Sequence, residues 1–77
     1  DEAVRLATEA ADQARPTDDL DKRGKALVDL AEVLRLAGRS EEAISVAREA
    51  LEVFERKGNV VLSEAVRTML ARIAGSR

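Results

Sequence analysis

The 77-residue sequence lacks several side chains on which protein chemistry most often depends. Without cysteine it can form neither a disulfide nor a thiolate metal site, and without histidine it lacks the commonest metal ligand and general base. Phe54 is the only aromatic residue, so no row of rings is available to stack on nucleic-acid bases. We therefore expect no enzyme activity, no bound metal and no cofactor.

Long apolar runs and a strong charge of one sign are also missing. No apolar stretch approaches the length of a membrane-spanning helix, no signal peptide is recognisable, and the formal net charge is only −2. A weakly acidic surface does not suit nucleic acid. We expect a cytoplasmic protein that binds neither membranes nor nucleic acids. Because the sequence begins at Asp1, inside a helical pattern, we also expect a segment of a longer protein.

What the sequence does contain is apolar residues at helical spacing. Apolar residues make up 45% of the chain and charged residues 36%, a balance typical of a folded domain. Breaks at Pro16, Gly38 and Gly58 separate the apolar stripes. The pattern predicts an all-α single domain, residues 1–77, with thin packing because alanine is frequent. Its four antiparallel helices are expected at about 2–15, 18–37, 40–57 and 59–74.

Polar residues at the breaks suggest how the helices begin. Thr17 or Asp18 can cap the second helix, Ser40 the third and Asn59 the fourth. Gly24 lies inside the second helix, where glycine costs about 1 kcal/mol relative to alanine. We therefore expect the first turns of that helix to fray or to form a loop.

The chain repeats itself. Residues 2–10 and 42–50 are identical at five of nine positions when shifted by 40, and the second and fourth helices align at a shift of 39. Both helix types recur in the same order and at nearly the same period, which indicates a repeat architecture. The chain therefore contains one type of helical hairpin, repeated out of phase.

Residues 24–57 carry a pattern that resembles a tetratricopeptide repeat. The turn glycine is Gly38, and aliphatic residues replace the family's usual aromatic residues. The resemblance implies an α-solenoid fragment in which first (A-type) and second (B-type) helices alternate as B-A-B-A. It also implies protein–protein interaction as the function. The residues that match the spacing of the A-type helix are Leu27, Leu30, Ala31 and Leu34.

Two shorter stretches carry a finer resemblance. Residues 30–39 and 56–59 look like the C-terminal repeats of actinobacterial cyclase-like or transcriptional-regulator proteins. This resemblance implies a scaffold segment of a larger bacterial signalling or regulatory protein, whose partner is another protein or the other repeats of its own chain.

The family resemblance also implies a binding surface, because A-type helices line the concave face of such arrays. Asp29 and Glu32 stand where chaperone-binding members have asparagine, so a peptide carboxylate is not the expected ligand. No residue is expected to be catalytic or to bind a metal or cofactor. The expected partner-binding residues are Lys25, Val28, Asp29, Glu32, Arg35, Leu36 and Arg67.

Self-association is the alternative function that the sequence suggests. One repeat cannot bury its apolar face alone, and the out-of-phase order leaves an apolar face on each end helix. A homodimer or a domain-swapped helical assembly would cover these faces. The sequence leaves both hypotheses open.

Overall fold

The computed structural model describes residues 1–76, with Ser76 described by its backbone alone, and these residues form helices connected by short turns. No strand occurs in this part of the chain, which confirms the all-α prediction. Every helix boundary lies within two residues of its predicted position. The helices are α1 Glu2–Ala14, α2 Leu20–Leu36, α3 Ser40–Lys57 and α4 Val60–Ser76.

Each helix packs on the next one along the chain, and the α2–α3 pair has the most extensive contact. The core is built almost entirely from aliphatic side chains, with Phe54 as its only ring. The domain measures 30 × 26 × 14 Å, and the smallest dimension is short because alanine lets helix backbones approach closely. A side-chain hydrogen bond also connects the end of α1 to α3, which is not its neighbour along the chain. Nε of Arg15, the residue after α1, donates to a carboxylate oxygen of Glu49 at 2.8 Å.

The start of α2 differs from the prediction. Asp19 is the capping residue, and its carboxylate accepts a hydrogen bond from the backbone N–H of Lys22 at 3.1 Å. Thr17 and Asp18 do not cap this helix. The Thr17 hydroxyl instead accepts from the backbone N–H of Asp19, so it stabilises the turn that delivers the capping residue.

The predicted cap was wrong for α3 and right for α4. Ser40 is the first residue of α3, and Arg39 stands before it without a side-chain capping bond. The Arg39 guanidinium instead pairs with the carboxylate of Glu42 in the first turn. Asn59 caps α4 as predicted, because its side-chain oxygen accepts from the backbone N–H of Leu62 at 3.0 Å.

Glycine ends both inner helices in the same way. Gly38 and Gly58 have φ values of 78° and 79°, in the left-handed region that glycine adopts most easily. In each turn the amide after the glycine bonds to a carbonyl five residues earlier, which is the pattern of a Schellman motif. The two bonds run from Arg39 to Leu34 and from Asn59 to Phe54, both at 2.9 Å.

The predicted weakness at Gly24 was wrong. Gly24 is buried inside a regular stretch of α2 that begins at Leu20. The ring of Phe54 lies directly against it, and a Cβ atom at this position would stand 2.5 Å from two ring carbons. The glycine is therefore required by packing, because only a residue without a side chain lets the ring approach the α2 backbone.

Replacing Gly24 with alanine should destabilise the protein, although alanine favours helix formation. The added methyl group would overpack the site, and we expect a net loss of about 1–3 kcal/mol in the free energy of unfolding. Urea denaturation followed by circular dichroism measures the change. Gly75 is the matched control, since it is helical and a Cβ there meets nothing within 4 Å. Gly75→Ala should be neutral or stabilising, and a Gly24→Ala variant as stable as the parent would contradict this packing.

Leu30→Ala should unfold much of the protein. Leu30 is buried in the centre of α2, and truncation of such a residue costs about 2–5 kcal/mol. A domain of this size has only a few kcal/mol to lose. Leu36→Ala is the control, because Leu36 is 71% exposed. Full helicity of the Leu30→Ala variant at room temperature would show that Leu30 is not central to the core.

Candidate partner-binding groove

A groove separates the two A-type helices, α2 and α4. It contains a cavity of about 140 Å³, and side chains from three helices form its walls. Both A-type helices contribute to its walls. The lining residues are Lys25, Val28 and Asp29 from α2, Phe54 from α3, and Leu62, Ala65, Val66 and Met69 from α4.

Asn59 sets one end of this groove. Its side-chain oxygen caps α4, and its Nδ2 donates to a carboxylate oxygen of Asp21 on α2 at 3.3 Å. One amide side chain therefore joins the beginnings of both A-type helices. The Phe54 ring forms part of the wall of the apolar recess between the two helices.

The groove is apolar inside and charged at its rim. Val28, Leu62 and Met69 are half-buried, whereas Lys25 and Asp29 are exposed. The recess can therefore accept an apolar side chain, and the rim can contact polar or charged groups on either side of it. An apolar recess with a few polar groups around it is the general form of a ligand-binding site.

Charged residues bound the other end of the groove. Arg35 donates two hydrogen bonds to the Glu32 carboxylate. This pairing lowers the pKa of Glu32 from its ordinary value, and the positive charge of Arg72 on α4 acts in the same direction. Opposite charges from α2 and α4 thus lie near each other beyond the apolar recess.

The structure places the seven predicted binding residues in four different positions. Lys25, Val28 and Asp29 line the recess, and Glu32 and Arg35 form the ion pair beyond it. Leu36 is exposed at the end of α2 and does not line the recess. Arg67 faces α3 and pairs with Glu55 and Glu64.

The placement of Arg67 has a geometric cause. A groove between two parallel helices is lined by the side of the first helix that faces the second and by the side of the second helix that faces the first. The prediction used equivalent positions on both helices, so for α4 it selected the side that points away from α2. Sequence reasoning accordingly missed the residues that α4 does contribute. The apolar 4-3 spacing of Leu62, Val66 and Met69 was the available signal.

Neither a metal site nor a membrane span is found in the described part of the chain. Among residues 1–76, no three or more acidic side chains are grouped so that they could hold a metal ion. None of the helices in this range is long and apolar enough to cross a membrane.

Antiparallel helices of two types alternate along the chain, glycine turns join α2 to α3 and α3 to α4, and a groove lies between the two helices of one type. These features define a helical-repeat protein. A sequence profile described as tetratricopeptide repeat matches residues 1–56, and the chain belongs to that family. Members of the family generally mediate protein–protein interaction and are typically not enzymes. Neither a curated protein nor a solved structure matches the chain significantly.

Removing Arg35 should raise the pKa of Glu32. Since a hydrogen-bonded cation favours the ionised carboxylate, Arg35→Gln should move the Glu32 pKa upward in a carboxyl-detected NMR titration. The ion pair stabilises the fold above the unfolded pKa of Glu32, and that contribution is lost as the pH falls through the lowered folded pKa. Arg48→Gln removes the same charge from an exposed site on α3 and should leave Glu32 unchanged. An unaltered Glu32 pKa in Arg35→Gln would refute the pairing.

Proposed function

We propose that the chain is a non-catalytic scaffold segment, acting through protein–protein interaction, of a larger bacterial signalling or regulatory protein in the cytoplasm. Family membership supports the interaction function. The resemblance of residues 30–39 and 56–59 to repeats of cyclase-like and regulator proteins supports the larger context. The partner is a protein, either another part of the parent chain or a separate one.

The observation that carries this proposal is the apolar recess between α2 and α4. Its volume of about 140 Å³ lies well below the roughly 300–1,000 Å³ of typical small-molecule sites. A recess of that size suits one aliphatic side chain of a bound peptide segment better than a cofactor or a drug-sized ligand.

The rim of the recess narrows the class of peptide. Lys25 and Asp29 carry opposite charges on the same helix face, so the rim offers no concentrated positive charge for a terminal carboxylate. We therefore propose an internal segment of the partner chain as the ligand, with an apolar anchor and polar residues beside it.

Selection from a random peptide library displayed on phage tests this proposal. Peptides enriched on the parent chain should share one aliphatic anchor residue. Ala65 is exposed and lines the recess, so Ala65→Glu should weaken the selected peptides at least about tenfold, equivalent to about 1.4 kcal/mol. Ala74→Glu is the control, because Ala74 is also exposed but does not line the recess.

Two results would contradict the proposed groove. One is that no peptide is enriched on the folded parent chain. The other is that selected peptides bind Ala65→Glu as tightly as they bind Ala74→Glu. Turnover of a substrate by the isolated chain would contradict the non-catalytic assignment.

A self-associating structural segment is the second candidate function. It is favoured by large apolar side chains that remain exposed on both end helices, namely Leu6 on α1 and Val60 and Val61 on α4. A homodimer or a swapped assembly would bury some of these residues, and the mass of the chain in solution distinguishes such states from a monomer.

A further inference from the structure

The end helices each lack a packing neighbour that the inner helices have. α2 packs extensively on α1 and α3, and α3 packs extensively on α2 and α4, whereas α1 and α4 have one such partner each. α1 and α3 align at a shift of 40, and α2 and α4 align at a shift of 39. Comparing the burial of equivalent residues therefore reveals which face of each end helix is open.

One face of α1 is open. Val4 and Ala14 are buried, as are their equivalents Ile44 and Phe54 in α3. Four other residues of α1, which we call the open stripe, behave differently. All four are exposed: Ala3, Leu6, Ala10 and Gln13. Their equivalents in α3 are covered. Val46 is half-buried, and Ala43, Ala50 and Val53 are at most 2% exposed.

The helix that covers the equivalent stripe on α3 can be identified. Both α1 and α3 pack on the A-type helix that follows them, so that contact cannot explain the difference. Packing against the A-type helix that precedes it, α2, is the contact that α3 has and α1 lacks. The open stripe is thus equivalent to the face of α3 that packs on an A-type helix.

α4 has the complementary open face. The exposed Val60 and Arg67, with the buried Ser63 between them, line a depression bounded by Glu55 and Gly58 at the end of α3. We call this surface, together with the half-buried Leu70, the open face of α4.

The counterpart of this face on α2 is occupied. The α2 equivalent of Ser63 is Gly24, which lies under the Phe54 ring of α3. The equivalent of Leu70 is Ala31, which is fully buried. The open face of α4 is therefore equivalent to the face of α2 that packs on a B-type helix.

We propose that the open stripe of α1 docks on the open face of α4 of a second copy of the chain. This contact repeats between molecules the packing of α3 on α2 within one molecule. The inference specifies the contact for the second candidate function and does not depend on the groove between α2 and α4.

Charge favours this pairing over contact between like helices. α1 carries more acidic than basic residues, and α4 carries more basic than acidic ones. Opposite net charges support an α1–α4 contact, whereas α1–α1 and α4–α4 contacts would bring like charges together. The charged residues are Glu2, Arg5, Glu9 and Asp12 on α1, and Glu64, Arg67 and Arg72 on α4.

A head-to-tail contact has a distinct signature in solution. The two surfaces differ, so the contact is heterologous and does not close as a two-fold dimer does. The average mass of the chain should therefore increase continuously with concentration and pass beyond that of a dimer. Added salt should weaken the association, because part of the attraction is between exposed charges.

Two variants block the two surfaces separately. Leu6→Glu places a charge in the open stripe, and Val60→Glu places one in the open face, at side chains that are 52% and 71% exposed. Each variant alone should be a monomer by sedimentation velocity. Mixed together they should form a one-to-one dimer, because Leu6→Glu keeps a working α4 and Val60→Glu keeps a working α1.

Matched controls separate these effects from loss of folding. Leu36→Glu and Val61→Glu make the same substitutions at exposed residues outside both surfaces and should associate as the parent does. Circular dichroism checks that every variant retains its helices. Ala65→Glu should also associate normally, so a failure of the groove and a failure of this contact give different results.

Three outcomes would overturn the proposal. A parent chain that stays monomeric up to millimolar concentration excludes the contact. A mass that levels off at a dimer indicates a two-fold or swapped assembly instead. An equimolar mixture of Leu6→Glu and Val60→Glu that remains monomeric shows that α1 and α4 do not pair.

Discussion

The close approach of the Phe54 ring to the backbone of Gly24 is the contact on which the rest of the structure depends. It brings α2 and α3 together in the most extensive helix pair of the domain. The same ring forms a wall of the recess between α2 and α4. Phe54 is the only aromatic residue of the chain, and packing and groove both use it. The contact between one large ring and one residue without a side chain thus sets the spacing of α2, α3 and α4.

The rest of the core follows from small residues at the contacts between alternating A-type and B-type helices. Alanines such as Ala31, Ala47 and Ala50 are fully buried where helices meet, and this close packing produces a domain only 14 Å thick. A thin stack of helices has little interior in proportion to its surface. Its end helices accordingly keep open faces, and both proposed interactions use surfaces that this architecture cannot bury by itself. The recess lies between repeats, and the open faces lie at their ends.

Features governed by local pattern could be predicted from the sequence, and those governed by distant contacts could not. The helices and the glycine turns at Gly38 and Gly58 follow from periodicity and from backbone preference. Backbone geometry, which the sequence does not display, decided which of Thr17, Asp18 and Asp19 caps α2. Gly24 was misread because its partner, Phe54, lies 30 positions further along the chain. The α2 side of the groove was predicted, whereas its α4 side required knowing which way that helix faces.

A double-mutant cycle between Gly24→Ala and Phe54→Leu tests the central contact most directly. If the ring and the glycine backbone are in contact, the shorter leucine relieves the overpacking. The two substitutions together should then cost less than the sum of their separate costs, by about 1 kcal/mol or more in the free energy of unfolding. Costs that add to within about 0.5 kcal/mol would show that the two residues are independent. That result would contradict the packing from which the groove and the repeat geometry are derived.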